Sequence, residues 1–332
     1  MVRLATVGTS AITEKFLSAA RKTGRFELVS CYSRTGKKGE AFAKAQGFKG
    51  CCTDITELAK SPDINAVYIA TPNSLHYAQS RIFLENGKHV LCEKPITASA
   101  KEYDALLKLA DEKGVIYAEA IMSRHFKGRK ILFNALSEIG DISAARIDYC
   151  QRSSRYDAFK GGEHMNIFDM SLGAGTLTDL GVYCVYAAVD MFGMPQSVKA
   201  SAAFFDNGAD KSGSAIFEYD GFTAALTYSK AGQSAIGSEI IGDGGAVKIG
   251  SVSQYADISL VKNGKETKLS GFPERDEIMG DEAIKFADYI EKSKEFKADY
   301  NEVSNLTHNV HTCMDLIKQS AEIKYPIKEC IL

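Results

Sequence analysis

Three residues in this sequence are of types that could take part in acid–base chemistry. Lys94 stands in the stretch CEKPIT, and Asp179 and Tyr183 stand four residues apart in SLGAGTLTDLGVYCV. On a helix predicted over residues 176–191, that spacing places Asp179 and Tyr183 on one face. Taken alone, a solvated lysine, a core tyrosine and an aspartate near a helix N-terminus explain these positions better than catalysis does. The elements around the three residues therefore decide what they can do.

The first part of the chain alternates short apolar runs with amphipathic stretches. The predicted strands are RLATVG (3–8), FELVSCYS (26–33), AVYIAT (66–71), KHVLCE (88–93) and VIYAEA (115–120). Continuously apolar strands separated by helices are typical of a parallel sheet that is buried on both faces. Residues 1–121 are therefore predicted to form a doubly wound α/β domain.

The apolar pattern changes to a period of two after residue 140. Six stretches have this pattern: ISAARIDYC, SVKASAAFF, SGSAIFEYD, FTAALTYSK, EIIGDGGAVKIG and DISLVKNGKETKLS. Asp220-Gly221 and Asn263-Gly264 are hairpin signals, and two helices are predicted over 276–293 and 301–321. Residues 122–332 therefore read as an α+β domain with a mostly antiparallel, open-faced sheet and helices on one side. The final helices could also pack back on the first domain.

The first predicted strand ends in LATVGTSAIT, where a dinucleotide fingerprint G-x-G-x-x-G would lie. Gly8 occupies the first glycine position, whereas Ser10 and Thr13 occupy the second and third. A strand end followed by a helix N-terminus forms an anion site, and the alternative is an ordinary strand-to-helix turn. The residues predicted to hold the pyrophosphate are Gly8, Thr9, Ser10, Ala11 and Ile12.

The end of the second predicted strand indicates which cofactor is preferred. NAD-selective sites place a carboxylate there for the ribose hydroxyls, but this chain has CYSRTGKK instead. Ser33, Arg34 and Lys38 favour the 2′-phosphate of NADP over NAD, because a guanidinium binds phosphate through its planar fork. A solvated basic loop is the alternative.

Two further loops follow predicted strands, so they are expected at the carboxyl edge of the sheet, where ligands of such sheets bind. They are ATPNSLHY (70–77) and CEKPIT (92–97). Their candidate cofactor residues are Ala70, Thr71, Pro72, Asn73, His76, Glu93, Lys94 and Pro95.

The order GTSAIT, YSR, ATPNSLH and EKP resembles that of the glucose–fructose oxidoreductase/inositol dehydrogenase (Gfo/Idh/MocA) family. SLGAGTLTDLGVYCV is similar to the family stretch G-G-G-x-x-x-D-x-G-x-[HY], so the resemblance covers both predicted domains. Ser10 and Thr13 depart from the fingerprint glycines, and Ala174 replaces a glycine of the later stretch. Tyr183, where many members have histidine, is similar to the dihydrodiol and xylose dehydrogenase branch.

This resemblance implies a Rossmann domain and an NAD(P)-dependent dehydrogenase or reductase. The implied reaction is hydride transfer between nicotinamide and a hydroxyl or carbonyl carbon of a sugar, polyol or related cyclic alcohol. Tyr183 becomes the general acid/base, Lys94 its electrostatic partner and a donor to the substrate hydroxyl, and Asp179 an orienting group. An ammonium favours the phenolate of a tyrosine, whose ordinary pKa is near 10. Whether Lys94 itself carries the proton stays open.

The resemblance also implies several secondary features of the site. Met122 is expected beside the cofactor, and Arg124, Arg155 and Tyr156 join Asp179 and Tyr183 as candidate substrate residues. The Lys94-Pro95 peptide is expected to be cis.

Gly181 is costly inside a helix, so we expect a ligand to approach it closely. The sequence shows no metal-ligand spacing, and we expect catalysis without a metal.

Composition restricts the partners. A formal net charge of −2 over 332 residues gives no basic surface for nucleic acid, and neither an export signal nor a membrane span is apparent. Eight cysteines without a CxxC pair indicate reduced thiols in the cytoplasm.

A small carbohydrate-like substrate is expected, and the open sheet face predicts a homodimer or a dimer of dimers. Alternatives are a non-catalytic NADP-binding regulator and a transferase that uses another adenine nucleotide.

Overall fold

The computed structural model describes residues 1–325 as two compact units. The first contains Met1–Met122 and Glu274–Asn305, and the second contains Ser123–Pro273 and residues 306–325. Cys330 and the rest of the predicted second domain beyond residue 325 lie outside the described residues. The strands are β1 Val2–Val7, β2 Phe26–Tyr32, β3 Gly50–Cys52, β4 Ala66–Ile69, β5 His89–Glu93, β6 Tyr117–Ala120, β7 Ile142–Cys150, β8 Ser197–Phe204, β9 Asp210–Glu218, β10 Thr223–Ser229, β11 Ser238–Gly242, β12 Gly245–Ser251, β13 Ala256–Lys262 and β14 Lys265–Lys268. The helices are α1 Ala11–Thr23, α2 Gly36–Gln46, α3 Ile55–Lys60, α4 His76–Glu85, α5 Ala100–Lys113, α6 Lys127–Leu136, α7 Tyr156–Lys160, α8 Val182–Phe192, α9 Arg275–Glu291 and α10 Lys297–Ser320.

The first unit is built on a six-stranded sheet in the order β3-β2-β1-β4-β5-β6. All of its strand pairs are parallel. This is the Rossmann order, in which the chain reverses direction across the sheet between β1 and β4. The predicted doubly wound domain is therefore confirmed. Its central strands β1, β4 and β5 are largely buried on both faces, with Leu4, Val67 and Val90 almost inaccessible to solvent.

One edge strand of this sheet was not predicted. β3 contains Cys51 and Cys52, which lie outside the five predicted strands, and Cys51 pairs with Cys31 of β2. The strand has three residues, pairs on one side only and carries no apolar run, so its existence depends on the neighbouring strand rather than on a local pattern.

Helix α9 belongs to the first unit, where it packs along α1. Asp276 accepts hydrogen bonds from Ser18 and Lys22, and Arg25 forms ion pairs with Asp288 and Glu291. The first of the two closing helices thus packs against α1 and β1 of the first unit.

The second unit contains an eight-stranded sheet in the order β14-β13-β12-β11-β7-β10-β9-β8. Every pair in it is antiparallel except β7 with β10, so the predicted mostly antiparallel sheet is confirmed. The predicted hairpin turns are present at Asp220-Gly221, between β9 and β10, and at Asn263-Gly264, between β13 and β14.

The helix predicted over residues 176–191 begins differently from the prediction. Leu177–Gly181 form a π-helical turn, and the regular α-helix α8 starts only at Val182. The stretch Met170–Phe192 is long and apolar enough to cross a membrane by length and composition alone. Because 83% of its most apolar window is buried inside the protein, it has the burial of a core helix.

Candidate active site

The first strand-to-helix turn has the geometry of an anion site. Gly8 has φ +110°, and a Cβ placed there would overlap the Ala70 carbonyl oxygen. Both the backbone conformation and the lack of space therefore require glycine at this position. Ser10 is the N-cap of α1, but its side chain accepts no hydrogen bond from the helix N–H groups. Its hydroxyl lies 3.3 Å from that of the buried Thr13. The N–H groups of the first turn are therefore not capped by Ser10, which suits an incoming phosphate.

Five predicted cofactor residues follow the carboxyl ends of neighbouring parallel strands of the first unit. Gly8 follows β1, Ser33 follows β2, Thr71 follows β4, Lys94 is next to β5, and Met122 follows β6. Since parallel strands end at the same edge of a sheet, the fold gathers these residues along one edge. The other predicted pyrophosphate residues, Thr9, Ala11 and Ile12, lie at the start of α1 and are exposed or half-buried.

At the end of β2, the side chains differ in exposure. Ser33 is buried, and its backbone N–H donates to the Cys52 carbonyl at 3.1 Å. Arg34 and Lys38 are both exposed to solvent. The turn after β2 therefore presents a guanidinium and an ammonium where NAD-selective sites present a carboxylate.

The loops after β4 and β5 are joined by a buried histidine. His76 has no exposed surface, and its Nδ1 lies 2.8 Å from the Pro95 carbonyl oxygen. Its Nε2 lies 2.9 Å from the carbonyl oxygen of Thr71. Burial lowers the pKa of His76. In this arrangement His76 ties the TPN loop to the EKP loop, while Ala70 and Pro72 lie between β4 and the helical turn, which begins at Asn73.

The Lys94-Pro95 peptide is cis, as predicted. Lys94 is half-buried, and its backbone N–H donates to Oε2 of Glu93 at 3.3 Å. Tyr68 donates a 2.5 Å hydrogen bond to Oε1 of the same carboxyl group. Burial raises the pKa of Glu93. Through its two hydrogen bonds this carboxyl group joins the start of the loop to Tyr68.

Sequence reasoning missed two buried carboxyl groups in the first unit. Glu119 Oε1 accepts the Ile96 N–H at 2.8 Å and so holds the chain just after the cis peptide. Glu282 of α9 is buried in the first unit, and burial raises its pKa well above the ordinary value. Glu119 belongs to no motif, because it acts through a fold contact with a distant part of the chain.

In the second unit, Asp179 and Tyr183 lie on either side of the change from π-helical turn to α8. The Asp179 side chain is 42% exposed, and its Oδ2 lies 3.1 Å from Nζ of Lys230. Tyr183 is 7% exposed, and its ring packs against the edge of Tyr149 with centroids 5.7 Å apart. The prediction that both side chains lie on one regular α-helix is therefore wrong, because Asp179 lies in the π-helical turn and Tyr183 in α8. The wider π-helical turn changes the angle about the helix axis between the two side chains.

Gly181 is explained by packing rather than by a ligand. A Cβ at Gly181 would lie 3.0 Å from Leu177 Cδ1 and 3.1 Å from the ring of Tyr228. The buried Tyr228 ring thus occupies the space beside Gly181. The expectation that a ligand approaches Gly181 closely is therefore wrong.

The remaining substrate candidates lie in different surroundings. Arg124 is buried in the helical turn Met122–Arg124, and Arg155 is exposed just before α7. Tyr156 is half-buried beside Phe168 and Phe205, with ring centroids 6.5 and 6.0 Å away. Of the three, Tyr156 has an aromatic surface partly open to solvent. Within residues 1–325, no three His, Cys, Asp or Glu side chains are grouped as in a metal site.

A Rossmann sheet with an uncapped first turn, followed by a largely antiparallel α+β unit, defines a two-unit dinucleotide-dependent oxidoreductase. Residues 2–121 match the family model described as an oxidoreductase family with an NAD-binding Rossmann fold. Residues 135–248 match the GFO/IDH/MocA C-terminal domain. The chain belongs to the Gfo/Idh/MocA family of NAD(P)-dependent oxidoreductases, as its motifs predict.

Individual relatives agree with this assignment. The chain is 37% identical to scyllo-inositol 2-dehydrogenase (NADP(+)) of Bacillus subtilis, over 89% of this chain and 90% of that protein. It is 31% identical to trans-1,2-dihydrobenzene-1,2-diol dehydrogenase of Xenopus laevis, over 73% of this chain and 72% of the relative. A levoglucosan dehydrogenase solved with NADH and levoglucosan has the same fold, with a TM-score of 0.83, 18% identity, and 97% of each chain covered. The protein is therefore an enzyme, which confirms the prediction over the alternative of a non-catalytic regulator.

Proposed function

We propose that this enzyme oxidises a secondary hydroxyl of a polyol or sugar-like alcohol with NADP, or reduces the corresponding ketone with NADPH. The observation that carries the proposal is the 37% identity, over 89% of the chain, to an NADP-dependent scyllo-inositol dehydrogenase. The three candidate catalytic residues Lys94, Asp179 and Tyr183, all present in this chain, support it. The test is a cofactor-fluorescence screen of polyols, cyclic alcohols and sugars with both NADP and NAD. Reduced cofactor with at least one of these substrates is expected, and its absence throughout the screen would contradict the proposal.

The first unit fits a dinucleotide. The close approach at Gly8 and the uncapped first turn of α1 form a backbone cradle for the pyrophosphate. We assign Gly8, Ser10 and the start of α1 to the pyrophosphate, and the loops after β4 and β5 to the nicotinamide half. Bound nicotinamide supplies the hydride chemistry, so the protein itself must bind, orient and exchange a proton.

We assign the proton to Tyr183, which accepts it from the substrate hydroxyl during oxidation and returns it during reduction. Lys94 donates a hydrogen bond to the same oxygen, and its charge favours the phenolate form of Tyr183. Asp179 accepts a hydrogen bond from the substrate and orients it. Met122 is assigned to the cofactor, and Arg124, Arg155 and Tyr156 to the substrate.

We expect Arg34→Ala to weaken NADP binding by roughly 10–100-fold while NAD binding changes little. A charge-assisted hydrogen bond to the 2′-phosphate contributes about 1.5–3 kcal/mol, and NAD lacks that phosphate. The measurement is titration of each reduced cofactor by fluorescence. Arg81→Ala is the matched control, because Arg81 is exposed in the same unit and pairs with Glu85. Equal losses for both cofactors would show that Arg34 does not recognise the phosphate.

We also propose that the protein works in the cytoplasm as a homodimer or a dimer of dimers. The seven cysteines within residues 1–325 are free thiols, in keeping with a reducing compartment. On the outer face of the second sheet, the 39% exposed Ile216 lies beside Ala225, and Ser214 lies beside Thr227. Apolar and small side chains of this kind suit burial against a second copy.

Light scattering is expected to report two or four copies, and Ile216→Lys is expected to shift the population towards the monomer. A monomer for the unaltered protein at micromolar concentration would contradict this assembly.

A further inference from the structure

A lysine ammonium is buried next to Asp179 in the second unit. The Lys230 side chain is only 2% exposed, and its Nζ donates to the Ile167 carbonyl oxygen at 2.8 Å. The same Nζ lies 3.1 Å from Asp179 Oδ2 and 5.4 Å from the centre of the Phe168 ring. Burying a charge is costly unless it is paired and hydrogen-bonded, so these contacts account for the position of the ammonium.

Lys230 joins three segments that carry predicted substrate residues or lie next to them. Its ammonium contacts the π-helical turn through Asp179 and the helical turn Asn166–Phe168 through the Ile167 carbonyl. Its backbone carbonyl accepts the Ser153 N–H at 2.9 Å, just before Arg155 and Tyr156. Lys230, directly after β10, therefore connects the segment that carries Asp179 with the segment that precedes Arg155 and Tyr156.

The π-helical turn is held at a second point by another buried group. Asp210 accepts the Leu177 N–H at 2.6 Å and the Tyr325 hydroxyl at 2.8 Å. Burial raises the pKa of Asp210, and the charge of Lys230 acts against that rise. The start of the turn is thus fixed by Asp210, and its middle by the ammonium of Lys230.

We propose that Lys230 is a positioning residue that fixes the carboxylate of Asp179 for the substrate. Its role in turnover rests on the proposed function, in which Asp179 orients the substrate hydroxyl. A carboxylate that is 42% exposed remains reachable from solvent while the buried ammonium holds one of its oxygens. Lys230 acts through Asp179 and takes no proton from the substrate.

The test compares Lys230→Met, Asp179→Asn and the double variant with the unaltered protein. We expect Lys230→Met to lower kcat by about 10–100-fold, because a small misplacement of an orienting group costs that much. Cofactor affinity, measured by NADPH fluorescence, is expected to stay unchanged. Lys248→Met is the matched control, because Lys248 is exposed on the same sheet and pairs with Glu266. This control is expected to retain the activity of the unaltered protein.

The double variant separates positioning from a structural role. If Lys230 acts through Asp179, the double variant loses no more activity than Asp179→Asn alone. Independent losses that multiply would overturn the proposal, since they would place the effect of Lys230 in its contacts with Ile167 and Phe168. Where Lys230→Met alone does not fold, the double variant, which removes both charges together, is compared directly with Asp179→Asn. Equal activity of these two variants supports the proposal, and a further loss in the double variant overturns it.

Failure of the proposed function gives a different result. If the unaltered protein turns over no polyol, sugar or cyclic alcohol with either cofactor, the proposed function fails. The midpoint of denaturant unfolding, measured for the unaltered protein, the two single variants and the double variant, then shows whether Lys230 interacts with Asp179. A combined midpoint shift smaller than the sum of the two single shifts supports the Lys230–Asp179 contact, and an additive shift overturns it.

Discussion

Tyr183→Phe is expected to lower turnover by roughly 10²–10⁴-fold while NADPH binding survives. A positioned acid/base contributes about that factor, and the substitution keeps the ring while deleting only the hydroxyl. The ring of Tyr183 is buried against Tyr149, so the packing of α8 should persist. The measurement is kcat under conditions where a deuterated substrate shows that hydride transfer limits the rate, together with cofactor titration.

Tyr219→Phe is the matched control for this variant. It also deletes one phenolic hydroxyl from the second unit, where Tyr219 donates to the Gly193 carbonyl oxygen at 3.2 Å. We expect about 1 kcal/mol of lost stability for that hydrogen bond and unchanged turnover. If Tyr183→Phe turned over at the rate of the unaltered protein, with chemistry limiting, Tyr183 would not be the proton carrier. The role would then pass to Lys94 or a bound water.

Lys94→Met is expected to reduce turnover more than Tyr183→Phe, towards the upper end of ~10²–10⁴-fold or beyond it. In the proposed mechanism, Lys94 donates a hydrogen bond to the substrate oxygen and its charge favours the phenolate, and the substitution would remove both contributions. Methionine retains the length of the side chain. The Glu93 and Glu119 contacts with the loop involve backbone N–H groups, so the loop should keep its structure. Turnover and NADPH affinity are measured side by side.

Lys60→Met is the control for loss of one lysine from the first unit, because Lys60 is exposed and pairs with Glu57 across one helical turn. Unchanged turnover is expected for it. A Lys94→Met enzyme that loses cofactor binding but turns over normally at saturation would remove Lys94 from the chemistry. Combining Lys94→Met with Tyr183→Phe then shows whether the two act as one unit, since coupled residues give losses that do not multiply.

Local patterns in the sequence were enough to predict five of the six strands of the first sheet. Apolar runs that end at Gly8, or just before Pro72 and Pro95, mark strand ends, and parallel strands necessarily bring those ends to one edge. The cis Lys94-Pro95 bond followed from the family resemblance. Similarly, period-two strands and turn residues such as Asn263-Gly264 predicted the second sheet.

What the sequence could not predict depends on contacts between distant residues. Lys230 ends a predicted strand, where a lysine is normally solvated, and only the fold shows that Ile167 and Asp179 enclose its ammonium. The π-helical turn at Leu177–Gly181 has no local signature that separates it from an α-helix. Gly181 suggested a ligand because the ring of Tyr228, about 50 residues away, could not be anticipated.

The central claim is that this protein transfers hydride between a nicotinamide cofactor and a hydroxyl-bearing carbon. The most direct measurement uses NADPH that carries deuterium at the transferable position, with the ketone of a substrate found in the screen, and mass spectrometry of the product. We predict one deuterium on the carbon that becomes the alcohol carbon, and no exchange of that deuterium with water. A product without the label, or a label lost to solvent, would contradict hydride transfer as the reaction of this enzyme.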